Sequence, residues 1–600
     1  MSTFMTRLNM VLIVMTVISG LFIARLLSFQ FRLDPNVQEQ LYDIAGATSG
    51  REVEYRPNRG QIYDRDGQVL AVNTLEYRVA ISPAAIGPGS EPKWEVAKNL
   101  ARLLDLDERE TYLKLLPDPD TGYADYVFLQ APVSLEVGAE LEKLDIPGLI
   151  IEPIYRREYP QERLTAQVVG FVSYDSVGYW GIEEHYQAEL AGQIKIATES
   201  GLPLDVSEDV NIRDGQDLFL TIDRDAQWIA EQVLEGYINQ ERAEQGASST
   251  IRGGTIIVMN PQTGEILAMV SYPTYTSAEY NELLNEDKPR FTPSIQQIYE
   301  PGSIFKVITA SVALDIQEPG FDLAWSYNNQ GCEEMQGGVI CDAGSRPGAA
   351  VARGNITFAQ CIILSLNTCT AHWNLIIGPN RWYTYLERFG FGVATGIDLA
   401  GEENGTVHIP GTATWGPFNF VQTSFGQGLS VTALQMLTAA NAIANDGVMM
   451  QPFIVRQSFD GEQLRTHRPT AIGRPISAST AQQVLDIMEQ AVEGEGAFGA
   501  EARIEGYRVA GKTGTSQKVD PDGTYSDTLS WASFLGFIPA DDPQLSILIT
   551  LDQPIGYWGS QTAAPLFAEL ASRLVVLFEL PPDSIRTELL INGANPFGRN

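Results

Sequence analysis

Ser303 and Lys306 are the residues whose types and spacing first suggest covalent chemistry. Pro301 and Gly302 precede the pair, and an apolar run with helical spacing, Ile304 to Leu314, continues from it. Residues three apart share a helix face, so we expect the Lys306 amine beside the Ser303 hydroxyl. A lysine can take the proton of a nucleophilic serine if an apolar pocket lowers its pKa. The ordinary alternative is a serine in the first turn of a core helix, with Lys306 reaching solvent.

This four-residue pattern is weak by itself because the chain contains it twice. Ser90-Glu91-Pro92-Lys93 has the same spacing, but Pro92 removes a backbone donor and no apolar helix follows. We therefore predict a loop there. Context and further partners have to decide whether Ser303 is a nucleophile.

Two further motifs could supply those partners. In Ser365-Leu366-Asn367, which lies in an apolar helical context, the hydroxyl could relay a proton and the amide could hold a substrate amide. Lys512-Thr513-Gly514-Thr515 follows the strand-like Tyr507–Ala510. A glycine on an edge strand lets a ligand backbone approach, and a lysine with two hydroxyls can bind a carboxylate. Each motif alone has an ordinary explanation, and Ser326-Tyr327-Asn328 repeats the second one in a predicted polar loop.

Composition restricts the class of protein. The 600 residues are 44% hydrophobic and 19% charged, and this length allows about three to four domains. The 40 lysines and arginines against 75 aspartates and glutamates give a formal net charge of −35, which argues against nucleic-acid binding.

The four cysteines do not indicate a disulfide scaffold. Cys332 and Cys341 could pair across a Gly-Gly turn, whereas Cys361 and Cys369 are predicted to be buried thiols. No C-x-x-C pair occurs and the four histidines are scattered, so no zinc site is predicted.

The elements that would position these motifs follow from the order of apolar segments. The stretch Leu8 to Leu27 suits one membrane-spanning helix, with Arg25 snorkelling near its far end. A cleaved signal peptide is the alternative, but the run is long and has no clear small-residue cleavage site. A polar stretch from about Gln193 to Gly215 is typical of a linker. Beyond it come strands, then helices, then strands again, which indicates an antiparallel sheet with packed helices, an α+β fold.

The three motifs in this order are far more specific than any one of them, and they form the set found in penicillin-binding proteins and class A β-lactamases. Over about residues 8–575 the chain resembles class B penicillin-binding proteins, the monofunctional peptidoglycan D,D-transpeptidases of the penicillin-binding protein 2 and FtsI type. β-Lactamases lack the anchor and the blocks before residue 210. Further matching blocks are Arg59–Ala71, Gly181–Glu183, Leu220–Asp223, Asn260–Met269, Ser424–Gly428, Val431–Met436, Ser533–Phe537 and Ala563–Pro565.

The resemblance implies a domain order. A cytoplasmic stub over 1–7 and a transmembrane anchor over 8–31 would precede an elongated, β-rich pedestal or dimerisation-type domain over 32–210. The penicillin-binding transpeptidase domain, an antiparallel sheet with helices on both sides, would occupy 211–580, with a tail over 581–600.

The resemblance also implies the chemistry. Ser303 would attack the penultimate carbonyl of a stem peptide ending in D-Ala-D-Ala, with Lys306 as its base. Ser365 and Lys512 would pass the proton to the leaving amine, and a neighbouring strand's amine would resolve the acyl-enzyme into a crosslink.

Binding roles are implied for the remaining motif residues. Asn367 would hold the peptide amide, and Thr513 and Thr515, on either side of Gly514, would hold the terminal carboxylate. The oxyanion would lie between the backbone N–H groups of Ser303 and Thr515. No metal or cofactor is required.

The implied substrate lies outside the cytoplasm, so residues 1–7 would be inside and the rest outside a cell membrane crossed once. β-Lactams would acylate Ser303, and a polytopic glycosyltransferase of the cell-wall machinery is the implied partner. Division and elongation are both compatible roles.

Two departures from the family pattern concern loops near the motifs. Pro289-Arg290-Phe291 stands where many relatives have Asn-Arg-Ala, and Tyr557-Trp558-Gly559-Ser560 lacks the usual paired glycines. Three alternatives to a transpeptidase are a penicillin-hydrolysing or penicillin-sensing protein, a catalytically silent scaffold and a Ser-His-Asp hydrolase. The intact motifs argue against the second, and the absence of a G-x-S-x-G elbow argues against the third.

Overall fold

The computed structural model describes residues 10, 13–23, 25, 51–55, 57–87, 89–117, 122–173, 176–193, 195–199, 213–276, 279, 291–520 and 524–597. Contacts divide the chain into two units, one of residues 1–57 with 192–214 and one of residues 58–191 with 215–600.

The first unit contains a two-stranded antiparallel ladder of Arg51–Tyr55 and Lys195–Glu199. Residues 13–23 are helical, with large apolar side chains such as Phe22 exposed. No helix within the described ranges is both long and apolar enough to cross a membrane. The predicted stub at 1–7 and much of the predicted anchor at 8–31 lie outside the described residues.

The second unit is built on a five-stranded sheet. Its strands are β1 (Gly253–Met259), β2 (Ile266–Tyr272), β3 (Ala510–Val519), β4 (Tyr525–Ile538) and β5 (Leu545–Asp552). They lie in the order β2-β1-β5-β4-β3, and every neighbouring pair is antiparallel. The predicted antiparallel sheet is therefore confirmed, and the strand order makes β3, with the K-T-G motif, an edge strand.

Helices cover both faces of this sheet, as predicted. The long helices are α1 (Arg224–Gln245), α2 (Lys306–Asp315), α3 (Asn367–Ile377), α4 (Ala433–Ala444), α5 (Ala478–Glu493) and α6 (Ala563–Leu577). Ile256 and Val258 belong to the apolar core that contains α1 and α6. Ile257 and Met259 belong to the core that contains α2, α3 and α4. Successive strand residues point to opposite faces, so the two cores lie on opposite sides.

A second sheet combines strands from early and late parts of the chain. In sheet order its strands are Leu464–Thr466, Val455–Phe459, Asp217–Leu220, Ile62–Tyr63, Val69–Ile81 and Val127–Val133, with Leu149–Glu158 also paired to Val69–Ile81. The sheet therefore takes strands from both sides of the boundary predicted at residue 210. The helices of the early region are Ser90–Leu104, Glu108–Lys114, Leu135–Glu142, Ala166–Val169, Gly181–His185 and Gln187–Ala191.

A buried ion cluster connects Arg59–Ala71 and Gly181–Glu183, two of the segments that match the family pattern. Glu183 is fully buried and accepts hydrogen bonds from Arg59 Nε at 2.7 Å and Arg157 Nε at 2.8 Å. A buried carboxylate is tolerated when it is paired and hydrogen-bonded, so this cluster joins the segments around residues 59, 157 and 183.

The remaining elements are short. The two-stranded ladders are Phe171–Val172 with Gly178–Tyr179, Ser326–Asn329 with Gly354–Thr357, Cys332–Met335 with Gly338–Cys341, Thr406–Val407 with Leu429–Ser430, and Met449–Met450 with Ala471–Gly473. The other α-helices are Pro293–Gln296, Phe358–Ile363, Pro379–Arg388, Pro417–Gln422 and Asp583–Ile591. The 3₁₀ turns are Pro83–Ile86, Gly246–Ser248, Gly302–Phe305, Thr423–Phe425 and Ala500–Ala502.

Two predictions of loops are wrong. Ser90 begins the helix Ser90–Leu104, because Pro92 lies in the first turn, where a missing N–H costs no helical hydrogen bond. Lys93 is buried there and donates to the carbonyls of Pro83 and Gly87. The second predicted loop, at residues 326–328, belongs to the strand Ser326–Asn329.

The cysteines form two disulfides. Cys332 and Cys341 are directly opposite in a hairpin and are joined, as one reading of the sequence allowed. Cys361 and Cys369 are also joined, so the prediction of two buried thiols is wrong. A turn separates Phe358–Ile363 from α3, and the Cα atoms of the two cysteines lie 5.8 Å apart, within the range of a disulfide.

Candidate active site

Ser303 lies in the 3₁₀ turn Gly302–Phe305, which leads directly into α2. Its neighbours Gly302, Ile304 and Phe305 are buried, whereas Ser303 itself is partly exposed. The Ser303 hydroxyl forms no hydrogen bond with any described group, Lys306 included. The expected approach of Lys306 to this hydroxyl is therefore not a hydrogen bond in this structure.

Strand β3 passes directly against this turn, and glycines make the approach possible. Gly302 has a φ of +57°, and a Cβ atom there would lie 2.6 Å from the Thr515 carbonyl oxygen. A Cβ at Gly514 would lie 2.3 Å from Ser533 Oγ and 2.8 Å from Ile304 Cγ2. The glycine of the K-T-G motif is thus required by packing within the protein, a reason that the sequence did not reveal.

Lys306 is fully buried at the first position of α2. Its Nζ donates to the Ser365 carbonyl at 2.7 Å, to Ser365 Oγ at 3.3 Å and to Asn367 Oδ1 at 2.7 Å. Burial and the nearby charge of Lys512 hold the Lys306 pKa well below its usual value, and Asp342 opposes that shift. An amine with such a pKa can serve as a general base.

Lys512 approaches the same serine from β3. Its Nζ donates to Ser365 Oγ at 2.9 Å and to the Thr513 carbonyl at 2.9 Å. Burial lowers the pKa of Lys512 to about 7. Among the described side chains, no carboxylate lies within salt-bridge distance of either lysine.

Ser365 is held between the two amines by an unusual backbone conformation. It lies in the turn between Phe358–Ile363 and α3 with a φ of +52°, a region that residues with a side chain seldom adopt. Strain of this kind persists where the surrounding structure imposes it, often at functional sites. Ser365 Oγ can accept a hydrogen bond from one lysine while its own hydroxyl donates a hydrogen bond to the other.

Asn367 is engaged at both ends of its side-chain amide. Its Oδ1 accepts from Lys306, and its Nδ2 donates to the Cys341 carbonyl at 2.9 Å. The structure therefore shows Asn367 orienting Lys306, and its contact with a substrate amide stays a prediction.

The Thr515 hydroxyl already accepts one hydrogen bond within the protein. Its Oγ1 accepts from the Gly559 backbone N–H at 3.1 Å, which leaves the hydroxyl hydrogen free to donate to a carboxylate. A Cβ at Gly559 would lie 2.3 Å from the Gly514 carbonyl oxygen, so the single glycine of this atypical segment is a required contact with β3. Thr513 is almost buried on the same strand.

Two carboxyl groups near the site were missed from the sequence. Glu300, three residues before the nucleophile, accepts from the Gly428 N–H at 2.8 Å and the Tyr525 hydroxyl at 3.2 Å. Burial raises its pKa to about 7. Asp342 follows the Cys332–Cys341 hairpin and is 2% exposed. The sequence offered one indication of Asp342, namely an acidic residue directly after an apolar strand.

The three motifs thus meet at one place, with Ser303 on a turn, Ser365 between two buried lysines, and an edge strand beside them. Within the described part of the chain, no group of three or more potential metal ligands occurs. The site and the α+β fold together are those of a serine acyltransferase, with two buried lysines beside the predicted nucleophile.

Comparison with known proteins assigns the family. Residues 254–572 match the model of the penicillin-binding protein transpeptidase domain, and residues 54–218 match that of the penicillin-binding protein dimerisation domain. The chain belongs to the class B penicillin-binding proteins.

Individual relatives agree with this assignment. Stage V sporulation protein D of Bacillus subtilis is 32% identical, over 89% of this chain and 80% of that protein. Peptidoglycan D,D-transpeptidase FtsI of Escherichia coli is 28% identical, over 90% and 88%. The crystal structure of penicillin-binding protein 3 from Mycobacterium tuberculosis complexed with aztreonam has a TM-score of 0.66 at 27% identity, over 88% of this chain and 98% of that one.

Proposed function

We propose that this protein is a membrane-anchored serine D,D-transpeptidase that crosslinks peptidoglycan stem peptides through an acyl-enzyme on Ser303. The observation that carries the mechanism is the position of Ser365 Oγ between the amines of Lys306 and Lys512. Both amines are buried and have lowered pKa values, so one can be neutral while the other is protonated.

In the acylation step, Ser303 Oγ attacks the carbonyl carbon of the penultimate D-alanine. Lys306, as the neutral amine, takes the serine proton, and the C–O bond of the ester forms. The C–N bond to the last D-alanine then breaks, and its nitrogen receives a proton from Lys512 through Ser365. In the second step, the amine of a neighbouring stem peptide attacks the ester carbonyl and gives up a proton to Lys512 through Ser365. The new C–N bond forms the crosslink, the ester C–O bond breaks, and Ser303 regains its proton from Lys306.

Substrate binding follows from the remaining groups. Thr513 and Thr515 donate to the terminal carboxylate from the edge strand, on which Gly514 leaves no side chain. Asn367 would have to exchange its bond with the Cys341 carbonyl to hold the peptide amide. The N–H groups of Ser303 and Thr515 would stabilise the oxyanion, a contribution of about 3–4 kcal/mol for one donor. β-Lactams, which resemble the D-Ala-D-Ala end, would acylate the same serine.

Labelling with a fluorescent penicillin tests the nucleophile. We expect a stable covalent label on the wild-type ectodomain, no label on Ser303→Ala, and full labelling of Ser90→Ala, the serine of the other S-x-x-K sequence. A label that persists on Ser303→Ala would contradict the assignment. Rapid loss of the label from the wild type would favour a penicillin hydrolase.

Anchoring and location are part of the same proposal. The exposed apolar side chains of the helical residues 13–23 suit a lipid environment, and two disulfides suit an oxidising compartment. We place residues 1–7 on the cytoplasmic side of the cell membrane and the catalytic part on the outer side, beside a polytopic glycosyltransferase.

Membrane fractionation tests the anchor. Removal of residues 1–31 should transfer the protein from the membrane to the soluble fraction without loss of penicillin labelling. Membrane retention of the shortened chain would contradict an anchor in this segment. The partner is tested by comparing the rate of peptidoglycan crosslinking in membranes that contain the glycosyltransferase with the rate in membranes that lack it.

A further inference from the structure

We propose that Asp342 is a positioning residue whose buried negative charge acts on Lys306 and sets the pH range over which that amine can serve as the base. The proposal rests on the transpeptidase function above, and it adds a residue outside the three motifs. Asp342 touches neither lysine, and its influence passes through the turn that carries Ser365 and Asn367.

The carboxylate of Asp342 is held at the start of α3. Its Oδ1 accepts from the Thr368 backbone N–H at 2.9 Å, and its Oδ2 accepts from Thr368 Oγ1 at 2.9 Å and Asn329 Nδ2 at 2.6 Å. All these donors are neutral, and no described cation lies within salt-bridge distance. The carboxylate thus lies at the positive end of α3, surrounded by hydrogen-bond donors.

A short chain of contacts connects Asp342 to Lys306. The residue before Asp342, Cys341, accepts from Asn367 Nδ2 at 2.9 Å, and Asn367 Oδ1 accepts from Lys306 Nζ at 2.7 Å. The residue after Asn367, Thr368, donates to Asp342 from its backbone. The carboxylate therefore lies immediately behind the amide that orients the amine.

The charges of the three buried groups balance when Asp342 is ionised and one of the two lysines is neutral. Lys306, Lys512 and Asp342 are each at most 2% exposed. With both lysines protonated, these three groups carry a net positive charge in a poorly solvated site, and with one lysine neutral they carry none. Since a buried net charge is costly, one carboxylate favours one ammonium and one amine. The reaction needs the same combination, an acid for the leaving group and a base for Ser303.

Other titratable groups face this cluster. Lys512 faces Lys306 from β3 and lowers its pKa, whereas Asp342 raises it. Tyr327 faces Asp342 from the strand Ser326–Asn329, and burial raises its pKa, so it stays neutral. Beyond Tyr327, Glu333 is paired with His372 at 2.7 Å. Asp342 is thus the negative group that acts on Lys306.

The pH dependence of acylation tests the proposal. Acylation declines at low pH as the base becomes protonated, and loss of the Asp342 charge should lower the pKa of that base. We expect the acid limb of the Asp342→Asn variant to move to lower pH by about one unit, measured as the rate constant for acylation by a fluorescent penicillin. Asp342→Ser, which removes the same charge with a smaller polar side chain, should move the limb in the same direction.

Thr368→Val is the matched control. It removes a hydroxyl contact of the same carboxylate but leaves the charge, so its acid limb should coincide with that of the wild type. The proposal would be overturned if folded Asp342→Asn or Asp342→Ser had the same acid limb of acylation as the wild type. It would also be overturned if Thr368→Val shifted the limb as far as these variants do. Absence of any acylation in the wild type would instead contradict the proposed function.

Discussion

At the scale of single residues, the site is defined by amines that are buried without a counter-ion in contact. A lysine in such a position has a lowered pKa because water no longer stabilises its charge. Ser365 matters because its hydroxyl is the group that Lys306 and Lys512 share.

Ser365→Ala should therefore slow acylation of Ser303 by roughly 10²–10³-fold, since proton transfer between the two amines would lose its carrier. The rate constant for acylation by a fluorescent penicillin measures this effect. Ser311→Ala is the control, because Ser311 is a fully buried hydroxyl on α2 whose one hydrogen bond within the described ranges goes to the Val307 carbonyl. Equal rates for the Ser365 variant and the wild type would contradict the relay.

The lowered pKa of Lys512 also predicts a pH-dependent stability. An unfolded chain binds the Lys512 proton up to about pH 10, whereas the folded protein releases it at about 7. Below pH 7, the full free-energy cost of burying the Lys512 charge reduces the stability of the folded protein. This cost declines as the pH rises from about 7 to about 10, and it is absent at higher pH. Lys512→Met should therefore raise the melting temperature most at or below neutral pH. A stabilisation that is constant from neutral to alkaline pH would exclude a lowered pKa.

At the scale of elements, β3 and the nucleophile turn are positioned by contacts that only glycine permits. Gly302 and Gly514 bring the turn and the strand together, and Gly559 places its N–H on the Thr515 hydroxyl. Strand β3 starts at Ala510, so the whole K-T-G motif lies within it, where the sequence had suggested that it follows the strand.

Gly559→Ala should displace the 557–560 segment from β3, because its Cβ would lie 2.3 Å from a carbonyl oxygen. We expect a loss of about 1–3 kcal/mol in the free energy of unfolding and a higher KM for substrates with a free terminal carboxylate. Denaturant unfolding and steady-state kinetics measure the two effects. In Gly416→Ala the new Cβ meets nothing within 4 Å, so this control should change neither quantity. A KM that stays at the wild-type value would exclude a role for Gly559 in orienting Thr515.

At the scale of the whole molecule, residues 58–191 and 215–600 form one compact unit. The strand Asp217–Leu220 pairs in parallel with Ile62–Tyr63 and antiparallel with Val455–Phe459. The predicted boundary at residue 210 therefore separates strands that belong to the same sheet.

A chain that begins at residue 211 should be less stable than one that begins at residue 58, because Asp217–Leu220 would lose one of its two neighbours and expose the apolar face of the sheet. Thermal unfolding of the two truncated proteins provides the comparison. Equal melting temperatures would show that the transpeptidase part folds independently.

Much of the site was predictable because its chemistry depends on residue types at short spacings. The three motifs identified Ser303, Lys306, Ser365, Asn367, Lys512, Thr513, Gly514 and Thr515, and the order of apolar segments identified the antiparallel sheet with helices on both faces. The sequence pattern was least informative where a short segment had no strong periodicity, as at Ser90–Leu104 and Ser326–Asn329.

The class of fold, the acyl-transfer chemistry and the family could all be predicted from the sequence, because hydrophobic periodicity and motif spacing can be read directly along the chain. Which groups come into contact became known from the folded structure. It placed Ser365 between two lysines, Asp342 behind Asn367 and Gly559 on Thr515, and it paired Cys361 with Cys369. These contacts join residues that are distant in the chain or separated by a turn, and their energies depend on burial and distance.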